Sequence, residues 1–389
     1  MIFLTYDFVW FALAFFALYA LTARWSALRL AIVIASGIWF QFFYGGLASL
    51  VVTLALAAIS YVAGRSAKKS MMVAAIAICV GTLLYSKYTL FLVQTAIEPF
   101  SSSAAAAFSS FAPAAIPLGI SFFTFEFVHY LVDVHRGYPP LKSIRDFGAF
   151  AMFWPTMIAG PIKRYQIFVP ALHEGLKSQS STDVMQGLVR IAIGCAKKWA
   201  ADNLTGWIDF TEPHLASEAP LWRWLFVVAL AARILLDFSG YSDMAIGFAR
   251  VMGITVPENF NWPYLARSPI EFWNRWHISL STWIRDYVYI PLGGNRMGLT
   301  RRFFNALAAM TICGLWHGAA WNFAVWGLYH GAGIAFATGL RHAFPQTQPG
   351  PVISMVGWVA TMLFVCFGWL LFFYPIHRAW TILTLLFLG

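Results

Sequence analysis

The chain has 389 residues, 60% of them hydrophobic and 11% charged, with a net charge of +10. A soluble protein of this length carries about 25% charged residues, and the apolar residues here come in blocks of about 18 or more, enough to span the roughly 30 Å hydrocarbon core as helices. An ordinary soluble globule is excluded. Nucleic acid is not needed to explain the positive charge, because lysine and arginine collect on the cytoplasmic side of membrane proteins.

The N-terminal run MIFLTYDFVWFALAFFALYA lacks a basic leader and an A-x-A-like cleavage site, so it reads as a retained first span over about 4–21. Two spans fit between 30 and 64, broken at Tyr44-Gly45-Gly46 and closed by the basic RSAKK. A fourth, about 71–95, exits into the nearly uncharged EPFSSSAAAAFSSFAPAA, and a fifth, about 114–133, returns to the basic HRGYPPLKSIR. The charge rule and the span count agree to this point. GAFAMFWPTMIAGP (148–161) breaks the alternation: it is short, holds Pro155 and Pro161, and ends at Lys163-Arg164. Broken helices at membrane depth persist only when buried in protein or lining a wet cavity, so a re-entrant element is expected there. Spans follow near 184–210 and 221–238, the first carrying an awkward Lys197-Lys198 pair that snorkels or lines a cavity.

No apolar run from Arg250 to Arg302 is long enough to span, and seven arginines fall in it, so it is expected to be cytoplasmic or folded into a cytoplasmic vestibule. Within it, SPIEFWNRWHISLSTWI reads as one amphipathic helix with Ser268 as cap, Pro269 in the first turn and Glu271 three residues after the cap. PLGGNRMG (291–298) reads as a tight turn. The stretch 303–340 has basic flanks, so it goes in and comes back, with Gly314, Gly318, Gly327 and Gly331 permitting close helix packing. Phe303 to Trp316 makes about 21 Å of helix, short of a crossing, which puts His317 inside the membrane zone. A last span covers about 352–374, and the tail 377–389 is too short to cross alone.

Intramembrane ionisable residues are functional candidates. His317, in LWHGAAW, is either a satisfied histidine bonding a backbone carbonyl or a base able to take a proton from an alcohol near neutral pH. His277, in NRWHIS, is the second candidate, against the reading of an interfacial histidine; His330 reads as a packing residue. His129, His135, His173 and His214 fall at span ends or in loops and form no metal-ligand spacing, so no metal is expected. The four cysteines sit in apolar surroundings without a CxxC pair, which argues against disulfides and zinc; Cys313, four residues before His317, reads as helix packing ahead of an acyl-carrying nucleophile. HExxH, GxSxG, GxGxxG and P-loop patterns are all missing.

Several stretches together resemble the membrane-bound O-acyltransferases (MBOAT), most closely the bacterial branch of alginate O-acetyltransferases and the D-alanyl transfer protein of teichoic acid modification. They are GISFFTFEFVHYLVDVHRG (119–137), AGPIKRY (159–165), the run 236–298 from LDFSGYSDMAIGF to PLGGNRMG, and GLWHGAAWNFAVWGLYHG (314–331). The resemblance implies an all-α polytopic membrane protein of the bacterial cytoplasmic (inner) membrane. Roughly nine to eleven transmembrane helices would form a ring, with re-entrant and amphipathic elements, around a central tunnel. The chain is expected to be a single MBOAT domain, with N-terminal helices over 1–110, a family core over 114–340 and C-terminal helices over 352–389. The family's essential histidine falls on His317 and its second polar position on His277. Residues expected to bind substrate are Trp273, Asn274, Arg275, Arg285, Trp316, Asn322, Lys163 and Arg164, the cations attracting the phosphates of coenzyme A or an acidic carrier protein. The implied activity moves an acyl group, acetyl first of all, from a cytoplasmic thioester (acetyl-CoA or an acyl-carrier thioester) to an extracytoplasmic polysaccharide. No tightly bound cofactor is implied, but the branch usually works with a separate extracytoplasmic acyltransferase. The nearest rival is D-alanyl or other acyl export from a carrier-protein thioester to a cell-wall polymer. A transporter or a scaffold subunit of a polysaccharide export complex is the rival of another class.

Overall fold

Backbone groups facing lipid have no water to bond, so a chain this apolar must pair them internally. Among the described residues of the computed structural model, 2–344 and 350–388, it does so with helices alone. In order these are α1 (Tyr6–Leu21), α2 (Ser26–Ser66), α3 (Lys69–Ala96), α4 (Ser102–Ser109), α5 (Ile120–His135), α6 (Ile144–Ala151), α7 (Tyr165–Lys177), α8 (Ser181–Thr211), α9 (Pro220–Val251), α10 (Pro269–Arg275), α11 (Ile278–Ile284), α12 (Gly298–His317), α13 (Trp321–Ala343), α14 (Pro351–Phe373) and α15 (Ile376–Leu388). Of these, α2, α3 and α14 are each long and apolar enough to cross a membrane. Gly389, the end of the expected tail, lies outside the described residues. The chain packs as two compact units, residues 1–195 with 241–257 and residues 196–240 with 258–389.

In the first unit, the break expected at Tyr44-Gly45-Gly46 sits at Gly46, whose φ of 76° interrupts α2 and which only a residue without Cβ adopts at no steric cost. Each half is about 20 residues, or about 30 Å of helix. Gln41, fully buried, pins the bend: its amide donates to Ser49 Oγ (2.8 Å), Thr53 Oγ1 (2.9 Å) and the Leu118 carbonyl (3.0 Å). Large apolar side chains on the outside of this helix, such as Leu47 and Val51, are exposed, as lipid contact requires. Where a re-entrant element was expected stand the end of a short helix, α6, a non-helical link and one 3-10 turn, Trp154–Thr156, buried from Ala149 to Met157, with Trp154 ringed by Phe8, Phe11, Phe15 and Phe248. Helix α7 was not expected, because its polar residues hide the apolar face formed by Phe168, Leu172 and Leu176. His129 is also a correction: it lies mid-helix in α5, fully buried with its ring stacked on Tyr165, and not at a span end.

In the second unit, Ile208, Phe226, Leu230, Leu370 and Ile382 form one core joining α8, α9, α14 and α15. Arg223 turns inward and donates to the carbonyls of Leu215, Ala216 and Leu385, satisfying helix ends that would otherwise be orphaned. The Lys197-Lys198 problem is half resolved by charge: Lys198 pairs with Asp202 one turn on and with Asp237 of α9 at 2.8 Å. Helices α12 and α13 meet with almost no side-chain spacer. A methyl at Gly314 would strike the Phe323 carbonyl, and one at Gly327 the Met310 carbonyl. Gly327→Val therefore forces the hairpin apart; its melting temperature in detergent, followed by intrinsic tryptophan fluorescence, is expected to fall by an amount corresponding to about 1–3 kcal/mol of overpacking.

Two sequence expectations change here. The capped helix starts as foreseen, with Ser268 Oγ accepting from the Glu271 amide at 3.2 Å and Pro269 at its first position, but it stops at Arg275 and a second helix begins at Ile278. And α12 begins at Gly298, five residues before the apolar run, so it has 20 residues and about 30 Å of length. Helix length therefore no longer places His317 short of a full crossing.

Candidate active site

The break between α10 and α11 sets the position of His277. Trp276 ends one helix, and His277 adopts φ 43°, ψ 53°, a left-handed conformation that a non-glycine residue holds at a cost of about 1–3 kcal/mol. Pairing with the preceding chain holds it there: Asn261 N–H donates to the Arg275 carbonyl and Ile278 N–H to the Asn259 carbonyl, each at 2.9 Å. The imidazole is 1% exposed. Its Nδ1 lies 3.1 Å from Asn259 Oδ1, and its ring meets Phe238 edge-on at 4.6 Å between centroids.

His317 ends α12, where the following Gly318 is extended and packs directly under the Phe323 ring. Its half-buried ring stands edge-on to Trp316 (4.9 Å), Trp326 (5.2 Å) and Phe372 (5.3 Å), and 6.5 Å from the ring of His277. Two imidazoles 40 residues apart in sequence are thus brought onto one aromatic-walled spot, which suits proton transfer in a place of low dielectric. Behind them, Trp273 Nε1–H donates to His330 Nδ1 at 3.3 Å, and the His330 ring packs on Trp326. His330 is a packing residue as expected, and it also anchors an expected binding residue.

A cavity of about 670 Å³ runs beside this spot, bounded by α10, α11, α12 and α13. It reaches Ile278, next to His277, and Cys313, one turn before His317, and its walls carry Asn274, Arg285, Arg302, Arg341 and His342. Its size falls in the range of small-molecule and cofactor sites. Arg285 pairs with Asp286 at 2.7 Å, and Arg302 donates to the Asn295 carbonyl.

Of the expected binding residues, Trp273, Asn274 and Arg285 line the cavity and Trp316 packs against both histidines. Arg275 is held by Glu271 at 2.9 Å and by the Asn261 carbonyl, and the Asn322 amide donates to the Leu371 carbonyl. Lys163 and Arg164 belong to the first unit. There the expectation for Lys163 needs correcting: it is 1% exposed, with Nζ 2.7 Å from both Glu126 oxygens and close to the Phe150 and Phe168 rings, so its charge is spent inside the protein. Arg164 is half-buried at the start of α7. Arg302, Arg341, Asn259, Trp326 and Phe372 were missed; the first four stand within or beside a quoted motif or basic flank and Phe372 in the expected last span, but only folding brings them to one place.

Comparison with known proteins gives the family of the chain. The model of the membrane-bound O-acyltransferase family matches residues 70–377. A protein of Azotobacter vinelandii named "Probable alginate O-acetylase AlgI" is 40% identical over 264 residues, covering 66% of this chain and 50% of that protein. A peptidoglycan O-acetyltransferase of Helicobacter pylori is 32% identical over 287 residues, 66% of this chain and 54% of its own. A teichoic acid D-alanyltransferase of Bacillus subtilis is 29% identical over 272 residues, 66% of this chain and 68% of its own. The chain spans about half the length of the curated alginate relatives it matches.

Proposed function

Since the chain belongs to the membrane-bound O-acyltransferase family, we propose that it transfers a short acyl group, acetyl first of all, from a cytoplasmic thioester to a hydroxyl of an extracytoplasmic polysaccharide. The observation that carries the reading is the pairing of His317 and His277 beside a cavity with cationic walls. His317 takes the hydroxyl proton as the oxygen attacks the acyl carbon; the C–O bond forms, the C–S bond breaks, and the proton passes to the departing thiolate. The aromatic wall of Trp316, Trp326 and Phe372 limits water, which would otherwise hydrolyse the thioester. His277 acts on the opposite side of the reacting group. On this reading the protein works as a multi-pass protein of the bacterial inner membrane, together with an extracytoplasmic acyltransferase.

Acetyl is favoured over other acyl groups by the alginate and peptidoglycan O-acetylating relatives, and a polysaccharide acceptor by the same names. The D-alanyltransferase relative supports the second reading, in which the donor is a carrier-protein thioester. Purified chain in lipid vesicles, given radiolabelled acetyl-CoA and, separately, acyl-carrier thioesters, distinguishes these donors. Consumption of neither would overturn both. Arg302 and Arg341 on the cavity wall suit the phosphates of such a donor. Replacing both with alanine is expected to raise the KM for acetyl-CoA about 10-fold or more and leave kcat unchanged, as read from initial rates.

A further inference from the structure

The hydrogen bonds around Asn259 determine which nitrogen of His277 carries its proton. Asn259 is fully buried, and its Oδ1 lies 3.3 Å from the Ser279 backbone nitrogen and 2.9 Å from Ser279 Oγ. A backbone N–H can only donate, so the side-chain atom facing it is the amide oxygen and not the amide nitrogen. An amide oxygen can only accept, so the Nδ1 of His277, 3.1 Å from it, must be the protonated nitrogen. In the neutral ring Nε2 is then a bare lone pair, and that atom is buried with no hydrogen-bond partner. The Asn259 carbonyl meanwhile accepts from Ile278 N–H, so one residue secures both the ring and the left-handed backbone beneath it.

We propose that Asn259 is a positioning residue that locks His277, whose ring lies 6.5 Å from that of His317, in the Nδ1–H tautomer, so that its bare Nε2 receives a proton-bearing group of the substrate. This rests on the acyltransferase reading of the same site and sharpens it. A ring with its only proton committed to Asn259 cannot donate to the thioester oxygen. It accepts instead, from a hydroxyl or an amide N–H.

The test joins a direct readout to kinetics. In wild-type protein labelled with ¹⁵N-histidine in lipid nanodiscs, with the His277 signals assigned by loss in His277→Gln, Nδ1 is expected to resonate as a protonated nitrogen and Nε2 as a bare one. Asn259→Asp keeps the acceptor and should keep that tautomer and most of the kcat. Asn259→Leu removes the acceptor and should mix the tautomers and lower kcat on the order of 10²-fold, with the donor KM little changed. A protonated Nε2 in the wild type would overturn the proposal. So would an equal loss of kcat in Asn259→Asp and Asn259→Leu, which is what a purely structural role gives. The resonance assignment does not depend on turnover, so failure of the acyltransferase reading is seen separately from failure of this one.

Discussion

Replacing His317 with alanine is expected to lower acyl transfer by about 10²- to 10⁴-fold, the usual worth of a positioned general base, without lowering the yield of folded protein. The ring ends a helix and is half-buried against aromatic rings, so its loss leaves a small gap at the end of α12. The measurement is turnover of labelled acetyl-CoA by purified variant and wild type, paired with gel filtration and melting temperature. If the alanine variant is folded and still transfers at the wild-type rate, His317 is not the base. His317→Asn, which keeps a polar group of similar reach but cannot take a proton near neutral pH, should be as inactive as alanine; recovery there would make the histidine a binding group.

The second large effect concerns stability and lies in the first unit. Glu126 and Lys163 are both buried and bond at 2.7 Å through both carboxylate oxygens. Removing one partner strands the other charge where little solvent reaches it, at a cost of about 3–5 kcal/mol. Lys163→Met should therefore lower the melting temperature by about 10 °C, given the size of the unit. The double variant Glu126→Leu with Lys163→Met removes both charges and should recover most of that loss, because a buried ion pair often does no better than apolar groups of the same volume. If the two single losses simply add in the double variant, the pair is not coupled and the reading fails.

What could be read from the sequence divides along a physical line. Apolar block length picked out the long apolar helices α2, α3 and α14, and glycine at 46 the bend, because both are local properties. The cap at Ser268 was equally local and correct. The end of that helix was not legible: the amphipathic pattern runs on through Trp276 and His277, and the stop comes from pairing with residues 259–261, which no helical periodicity reports. The histidines were legible as candidates, yet their 6.5 Å separation was not. Lys163 was misjudged for the same reason in reverse. A lysine followed by an arginine reads as a surface charge, and its carboxylate partner stands 37 residues earlier in a helix that reads as a plain span.

The glycine seam between α12 and α13 has a bearing on how finely the reaction is aligned. Where two helices touch main chain to main chain, at Gly314 with the Phe323 carbonyl and at Gly327 with the Met310 carbonyl, their separation is set by hard atoms with no rotamers to adjust. His317 is the next turn along from that contact. Its imidazole therefore hangs from a rigid mount, and thermal play in the surrounding side chains reaches it only through its own χ angles. A displacement of about 1 Å at a reacting group is enough to cost about 10²-fold in rate, so the smallest residues in the hairpin fix the tolerance of the largest chemical event.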